Sequence, residues 1–166
     1  MERLMKGKLA IKRETKTKII DAYRDVNCSV DEKRTGSITY HAISLADSDQ
    51  RIAAIYGSLG GAASLWIKEG AWEILRDSIE DAFPDGIDRE QIQDVDLFRR
   101  GYQWAVHFQG PDDPMIPLTI KATIEAGSAR WERAQKRRAD DARRAAARAQ
   151  KKAEMDEKRR DPFANN

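Results

Sequence analysis

Residues 128–160 read SARWERAQKRRADDARRAAARAQKKAEMDEKRR. This stretch holds thirteen Lys or Arg and six Asp or Glu, a net charge of +7, and it contains no Gly or Pro. Nearly every residue favours a helix, but the only large apolar residues are Trp131 and Met155. Because so little of it can enter a core, the helix must stand in solvent or lie on a partner. We therefore expect a globular body, residues 1–127, and a basic Ala/Arg-rich helix with a short tail, residues 128–166.

Charge is segregated along the whole chain of 166 residues, although the net charge is only +2. Residues 1–18 form a short basic N-terminus with a net charge of +5, whereas residues 19–127 carry −9. Two basic ends thus flank an acidic middle. This pattern favours an anionic partner, or association between unlike ends of two copies.

The expected cellular compartment follows from three features that are missing from the sequence: paired cysteines, a signal peptide and a membrane span. Cys28 is the single cysteine, so no internal disulfide can form, and a reducing cytosol fits best. The first sixteen residues, MERLMKGKLAIKRETK, have no continuous apolar region of the kind found in a signal peptide. No stretch approaches the roughly 20 apolar residues of a membrane span. We expect a soluble protein without a membrane partner, cytoplasmic or carried within an assembly formed in the cytoplasm.

Hydrophobic periodicity predicts the elements of the body. Apolar residues at helical spacing predict helices over 12–26, 47–59 and 62–83, and the last of these contains the stripe Trp72, Leu75, Ile79 and Phe83. Alternation of apolar and polar residues predicts strands over 37–44 and 101–108. Residues 27–36 are interpreted as a polar link, and residues 88–94 as a short helix capped by Asp88.

Residues 117–125 allow two interpretations. Leu118, Ile120, Ala122 and Ile124 alternate with polar residues, which predicts a third strand that could pair with 101–108 as a hairpin. Alternatively, the last helix extends back to Pro117, since proline is common in the first turn of a helix. With the strand preferred, the predicted fold is α+β, a small antiparallel sheet packed against helices, with the long charged helix projecting from the body.

The basic helix has three possible roles. In the first, the helix is a solvated arm or docks on an acidic protein. In the second, it binds nucleic acid by phosphate contacts without reading sequence. In the third, it forms a homotypic coiled coil through an alanine stripe. Trp131 is predicted to anchor the helix to the body, or to lie in an interface. The candidate residues for binding nucleic acid or a partner are Arg137, Arg138, Arg143, Arg144, Arg148, Lys151 and Lys152.

Catalytic chemistry has one candidate pair of residues. His41 and His107 are the only histidines, and both fall on predicted strands. If those strands were neighbours, the two side chains could share acid–base work on a phosphoester. An exposed strand histidine is the simpler interpretation. The acidic residues are scattered and lack His or Cys partners, so we predict no metal site, no cofactor and no catalytic residue.

The sequence therefore favours a non-enzymatic assembly or interaction protein, of the kind found as bacterial or bacteriophage accessory proteins or virion components. Its partner would be a protein, a second copy of the chain, or nucleic acid. The alternatives are a stand-alone nucleic-acid-binding accessory factor, and a small phosphoesterase or nuclease that uses His41 and His107.

Overall fold

A six-stranded antiparallel sheet forms the centre of the fold in the computed structural model. The structure describes residues 2–46, 48–56, 63–80, 83 and 86–160, without the side chains of 2–6 and 35. The strand order is β1-β2-β3-β4-β6-β5. Together with its helices, the sheet confirms the predicted α+β class. The elements are α1 (Glu2–Asp25), β1 (Ser29–Thr35), β2 (Ile38–Ser44), β3 (Arg51–Tyr56), β4 (Ser64–Lys68), α2 (Glu69–Ile79), β5 (Arg89–Gln91), α3 (Val95–Arg99), β6 (Tyr102–His107) and α4 (Met115–Arg160).

The two faces of the sheet bury different cores. In β3, Ala53 belongs to one core and its neighbour Ala54 to the other, and in β4 Leu65 and Trp66 divide in the same way. The larger core also contains side chains of α1, α2 and the first part of α4. The smaller core is a cluster of aromatic residues joined by Leu97 of α3. Because both faces are covered, the central residues of β3 and β4 are apolar on both sides of the sheet.

This double burial explains why two predicted helices are wrong. The helix predicted over 47–59 is the strand Arg51–Tyr56, with residues 47 and 57–59 outside the described part of the chain. The predicted helix over 62–83 is strand Ser64–Lys68 followed by a shorter helix, Glu69–Ile79, with residues 62, 81 and 82 outside the described part. A short run that is apolar on both faces has no period of two, and sequence pattern cannot separate it from a buried helix.

The edges of the sheet were also predicted incorrectly. The supposed polar link contains β1, an edge strand whose sequence is SVDEKRT and whose charged side chains are exposed. Charge along an edge strand discourages pairing with other chains, but it removes the apolar alternation that marks a strand. At the other edge, the predicted helix over 88–94 is instead β5, and Asp94 rather than Asp88 caps a helix, accepting a hydrogen bond from the Leu97 amide at 2.9 Å.

Arginine stacking joins the short edge strand β5 to its neighbours. The Arg89 guanidinium lies 3.9 Å from the ring centroids of both Trp72 and Trp104. Trp72 belongs to α2 and Trp104 to β6. Each such cation–π contact contributes about 0.5–1 kcal/mol at an exposed position. The stack therefore holds β5 against α2 as well as against its hydrogen-bonded neighbour.

Residues 117–125 are helical, so the preferred strand prediction for them is wrong and the alternative is confirmed. Thr119 and Thr123 lie in the core and do not face solvent as the strand required. Their hydroxyls donate to the backbone carbonyls of Met115 and Ile120, both at 2.7 Å, which satisfies them inside the helix. Tyr23 of α1 in turn lies 2.6 Å from the Thr123 hydroxyl. Strand β6 pairs with β4 and β5, so the predicted hairpin does not form.

Gly127 permits the close approach of α4 to β3. A Cβ atom at this position would overlap the Ile52 side chain, which is only 2% exposed. Gln50 Nε2 also donates to the Gly127 carbonyl at 3.2 Å. The chain divides here into two units, Met1–Ser128 and Ala129–Asn166, and the boundary falls within α4.

We predict opposite effects of alanine at two helical glycines. Gly127→Ala should lower the free energy of unfolding by about 1–3 kcal/mol, because overpacking outweighs the gain in helix propensity. At Gly70 of α2 the added Cβ would meet the Ala126 Cβ at 3.8 Å, an ordinary contact. Because Gly70 lies in the first turn of α2, Gly70→Ala should raise the free energy of unfolding by at most about 0.5 kcal/mol. Chemical denaturation of both variants tests the pair, and equal stability would contradict the packing described for Gly127.

Candidate functional site

The last part of α4, residues 129–160, displays the predicted cations to solvent. All seven candidate residues, Arg137, Arg138, Arg143, Arg144, Arg148, Lys151 and Lys152, are exposed on the helix. Every side chain from 141 to 160 is exposed. The described side chains from 141 to 160 therefore form no core, and their charges face solvent.

The cations are concentrated on one face of this helix. At 100° per residue, nine of the thirteen Lys and Arg fall within an arc of roughly 120°, which we call the basic face. Only two of the six acids, Asp140 and Asp141, share that arc. The basic face thus carries the whole net charge of +7, and the rest of the circumference is neutral. Its members are Arg130, Arg133, Arg137, Arg144, Arg148, Lys151, Lys152, Lys158 and Arg159.

The basic face differs from the predicted set of residues. Arg138 and Arg143 were predicted as binding residues but lie on other sides of the helix. Arg130 and Arg133 belong to the face and were missed. The signal for them was in the sequence, because 130, 133 and 137 repeat at intervals of three and four, as do 144, 148 and 151.

Alanines occupy the opposite side of the helix. Ala139, Ala142, Ala146, Ala149 and Ala153 fall within roughly 80° of one another, facing away from the basic face, and all are exposed. Trp131 is half-buried, and the Arg138 guanidinium lies 5.8 Å from its ring centroid. Its role as an anchor or interface residue stays a prediction.

The two histidines do not form one site. His41 lies on β2 and His107 on β6, and strands β3 and β4 lie between them. Three strand spacings place them about 14 Å apart at least. The shared acid–base site required the two strands to be neighbours, so that requirement is not met.

Each histidine instead faces a glutamate on the adjacent edge strand. His41 Nε2 lies 3.7 Å from Glu32 Oε2 of β1, and His107 Nε2 lies 3.6 Å from Glu90 Oε2 of β5. The Nδ1 atom of each ring is buried without a hydrogen-bond partner among the described residues. Among those same residues, no three His, Cys, Asp or Glu side chains are placed to hold a metal ion.

Burial lowers the pKa of His41 below its ordinary value, and the nearby Lys16 lowers this pKa further. Glu32 acts in the opposite direction but does not reverse the effect. The side chain is 19% exposed, which leaves little water to solvate an imidazolium. The folded protein therefore favours neutral His41.

Comparisons with known proteins do not supply a function for this arrangement. Comparison of the chain with protein-family profiles, with curated proteins and with solved structures gives no match. None of the helices in the described part of the chain combines the length and the apolar character of a membrane span.

We predict that His41 makes folding less favourable in acid. Its pKa is lower in the folded than in the unfolded state, so the unfolded chain binds the proton first as pH falls below about 6.5. The stability linked to neutral His41 is complete above that pH and is lost as pH falls toward the folded pKa. Urea unfolding at pH 7.5 and 5.5 should show a smaller loss of stability for His41→Gln than for the wild type. Parallel losses in the two proteins would contradict this linkage.

Proposed function

We propose that the protein is a non-enzymatic interaction or assembly protein whose C-terminal helix binds nucleic acid through its phosphates. The observation that carries this proposal is the concentration of the net +7 charge on one third of the helix circumference. A linear array of cations matches the regular negative charge of a nucleic-acid backbone. Contacts to phosphates carry no sequence information, so binding through them would be independent of sequence.

The distribution of acids supports this choice over a simple solvated arm. A helix stabilised only by exposed ion pairs would mix the two signs on every face. Here four acids and four cations cancel away from the basic face, and only Asp140 and Asp141 lie on it. Docking on an acidic protein surface uses the same chemistry, and the experiment below separates it from nucleic-acid binding.

A reducing cytoplasmic location is part of the proposal. Cys28 is the only cysteine and lies buried, where burial raises the pKa of its thiol. A buried, protonated thiol has little reactivity and is compatible with a structural role. A hydrolytic enzyme is not favoured, because His41 and His107 lie on separated strands.

Two variants of equal charge test the basic face. The first replaces Arg133, Arg137, Arg144 and Arg148 on this face by Gln. The control replaces Lys136, Arg138, Arg143 and Arg160, which lie outside it, by Gln. The slope of log affinity against log salt concentration becomes less steep by about 0.9 for each phosphate contact that is lost. In the first variant the slope should therefore become less steep by about 3–4. The control should lose markedly less.

The measurement is fluorescence anisotropy of a labelled DNA duplex of about 20 base pairs, titrated at several NaCl concentrations. Circular dichroism of both variants checks that the helix persists. A second duplex of different sequence should bind equally well. Equal losses in the two variants would show that net charge alone acts, and absence of binding by the wild type would leave an acidic protein as the partner. Either result would overturn the proposal.

A further inference from the structure

A cleft of about 710 Å³ opens where the loop after β6 meets α1 and the start of α4. This volume lies within the usual range of roughly 300–1,000 Å³ for binding pockets. Ile11 of α1 lines the cleft and is 46% exposed, which is unusual for a large apolar side chain in a helix that packs on a core. The other apolar walls are Phe83, Ile87, Pro111, Pro114 and Met115.

Carboxylates surround these apolar walls. Asp113 accepts hydrogen bonds from the backbone amides of Gln109 and Met115, and these amides partly compensate its negative charge. Asp112 lies 3.5 Å from Lys18. Among the described residues, neither Glu14 nor Asp88 has an ion-pair partner within 4 Å. The residues described around the cleft include four acids and no Lys or Arg, although Lys8 and Lys12 line an adjoining pocket. The cleft therefore suits an apolar group that carries positive charge around it.

The basic helix carries a group of this description. Met155 is the only large apolar residue between 132 and 160, and it is 48% exposed. It lies on the basic face. Its neighbours at three and four residues before and after it are all cations, and these are the positions that flank a side chain on a helix surface. They are Lys151, Lys152, Lys158 and Arg159.

We propose that Met155 of one copy docks into this cleft of a second copy. The thioether chain would enter between Ile11 and Met115, and the flanking cations would face the acidic rim that includes Glu14 and Asp88. The charges of the two parts agree with this choice of partner, since residues 1–128 carry −4 and residues 129–166 carry +6. Methionine suits such a contact because its flexible side chain adapts to an irregular apolar surface. The proposal does not depend on nucleic-acid binding.

The contact joins two different surfaces, so each copy offers its Met155 to one neighbour and its cleft to another. An interface of this kind is heterologous, and copies can add head to tail. The average mass of the full-length protein should therefore rise with concentration between about 5 and 200 µM. Because the rim interaction is between exposed charges, the rise should weaken from 50 to 500 mM NaCl. Sedimentation velocity without nucleic acid measures both effects.

Single substitutions should stop the association. Met155→Asp brings a negative charge to the acidic cleft, which repels it. Ile11→Lys places a cation in the cleft, where it repels the cations around Met155. Each variant should remain monomeric at 200 µM. Met155→Leu should still associate, and so should Phe98→Asp, which alters an apolar side chain that is 50% exposed but lies outside the cleft. Glu14→Lys is a second cleft variant in case Ile11→Lys does not fold.

A mixture of the two defective variants gives the decisive test. The Met155→Asp copy keeps an intact cleft and the Ile11→Lys copy keeps an intact Met155, so the two should form one contact and stop at a dimer. The expected result is monomer for each variant alone and dimer for the equimolar mixture. A mixture that remains monomeric while the wild type associates would overturn the proposal. So would a wild type that is monomeric at all concentrations, or a variant that associates by itself as the wild type does.

Discussion

The packing of α4 on β3 at Gly127 is the contact on which the rest of the structure depends. The absent side chain lets the helix backbone lie against Ile52, and the Gly127 carbonyl accepts a hydrogen bond from Gln50. This close approach places the first part of α4 over the larger core, where Thr119 and Thr123 are buried. The start of the helix is held by Asp113, which accepts from the Met115 amide at 2.9 Å. The loop before it thereby forms one wall of the cleft.

Elements whose apolar residues recur at a regular period could be predicted from the sequence, and elements without such a period could not. Strands β2 and β6 alternate clearly, and the buried residues Leu75 and Ile79 of α2 belong to the predicted amphipathic stripe. Strands β3 and β4 are covered on both faces, which removes their alternation. Strand β1 is an edge strand with charged side chains on both faces. It therefore also lacks the alternation of apolar and polar residues, because neither face is apolar. The start of α4 was misread because buried threonines that bond to their own helix look like the outward face of a strand.

The candidate site was predictable in kind but not in geometry. Composition alone identified a basic helix, because alanine and long charged residues favour helix and cannot form a core. The face that concentrates the charge follows only once the helix is known to continue without a break to Arg160. The histidine pair shows the opposite limit. Each histidine was placed on the correct strand, but the order of strands in a sheet depends on long-range pairing that local pattern does not encode.

The division of α4 into a buried and a solvated part gives a single helix two regimes of amide exchange. Amides of residues 119–127 lie in the part of the helix that packs on the core, so we expect their hydrogen exchange to report the stability of the body. Amides of residues 129–160 lie in a largely exposed helix, so we expect them to open locally without unfolding of the body. Exchange rates should therefore rise along one unbroken element. A ligand on the basic face would slow exchange in the second part alone, which makes the helix its own internal reference for binding.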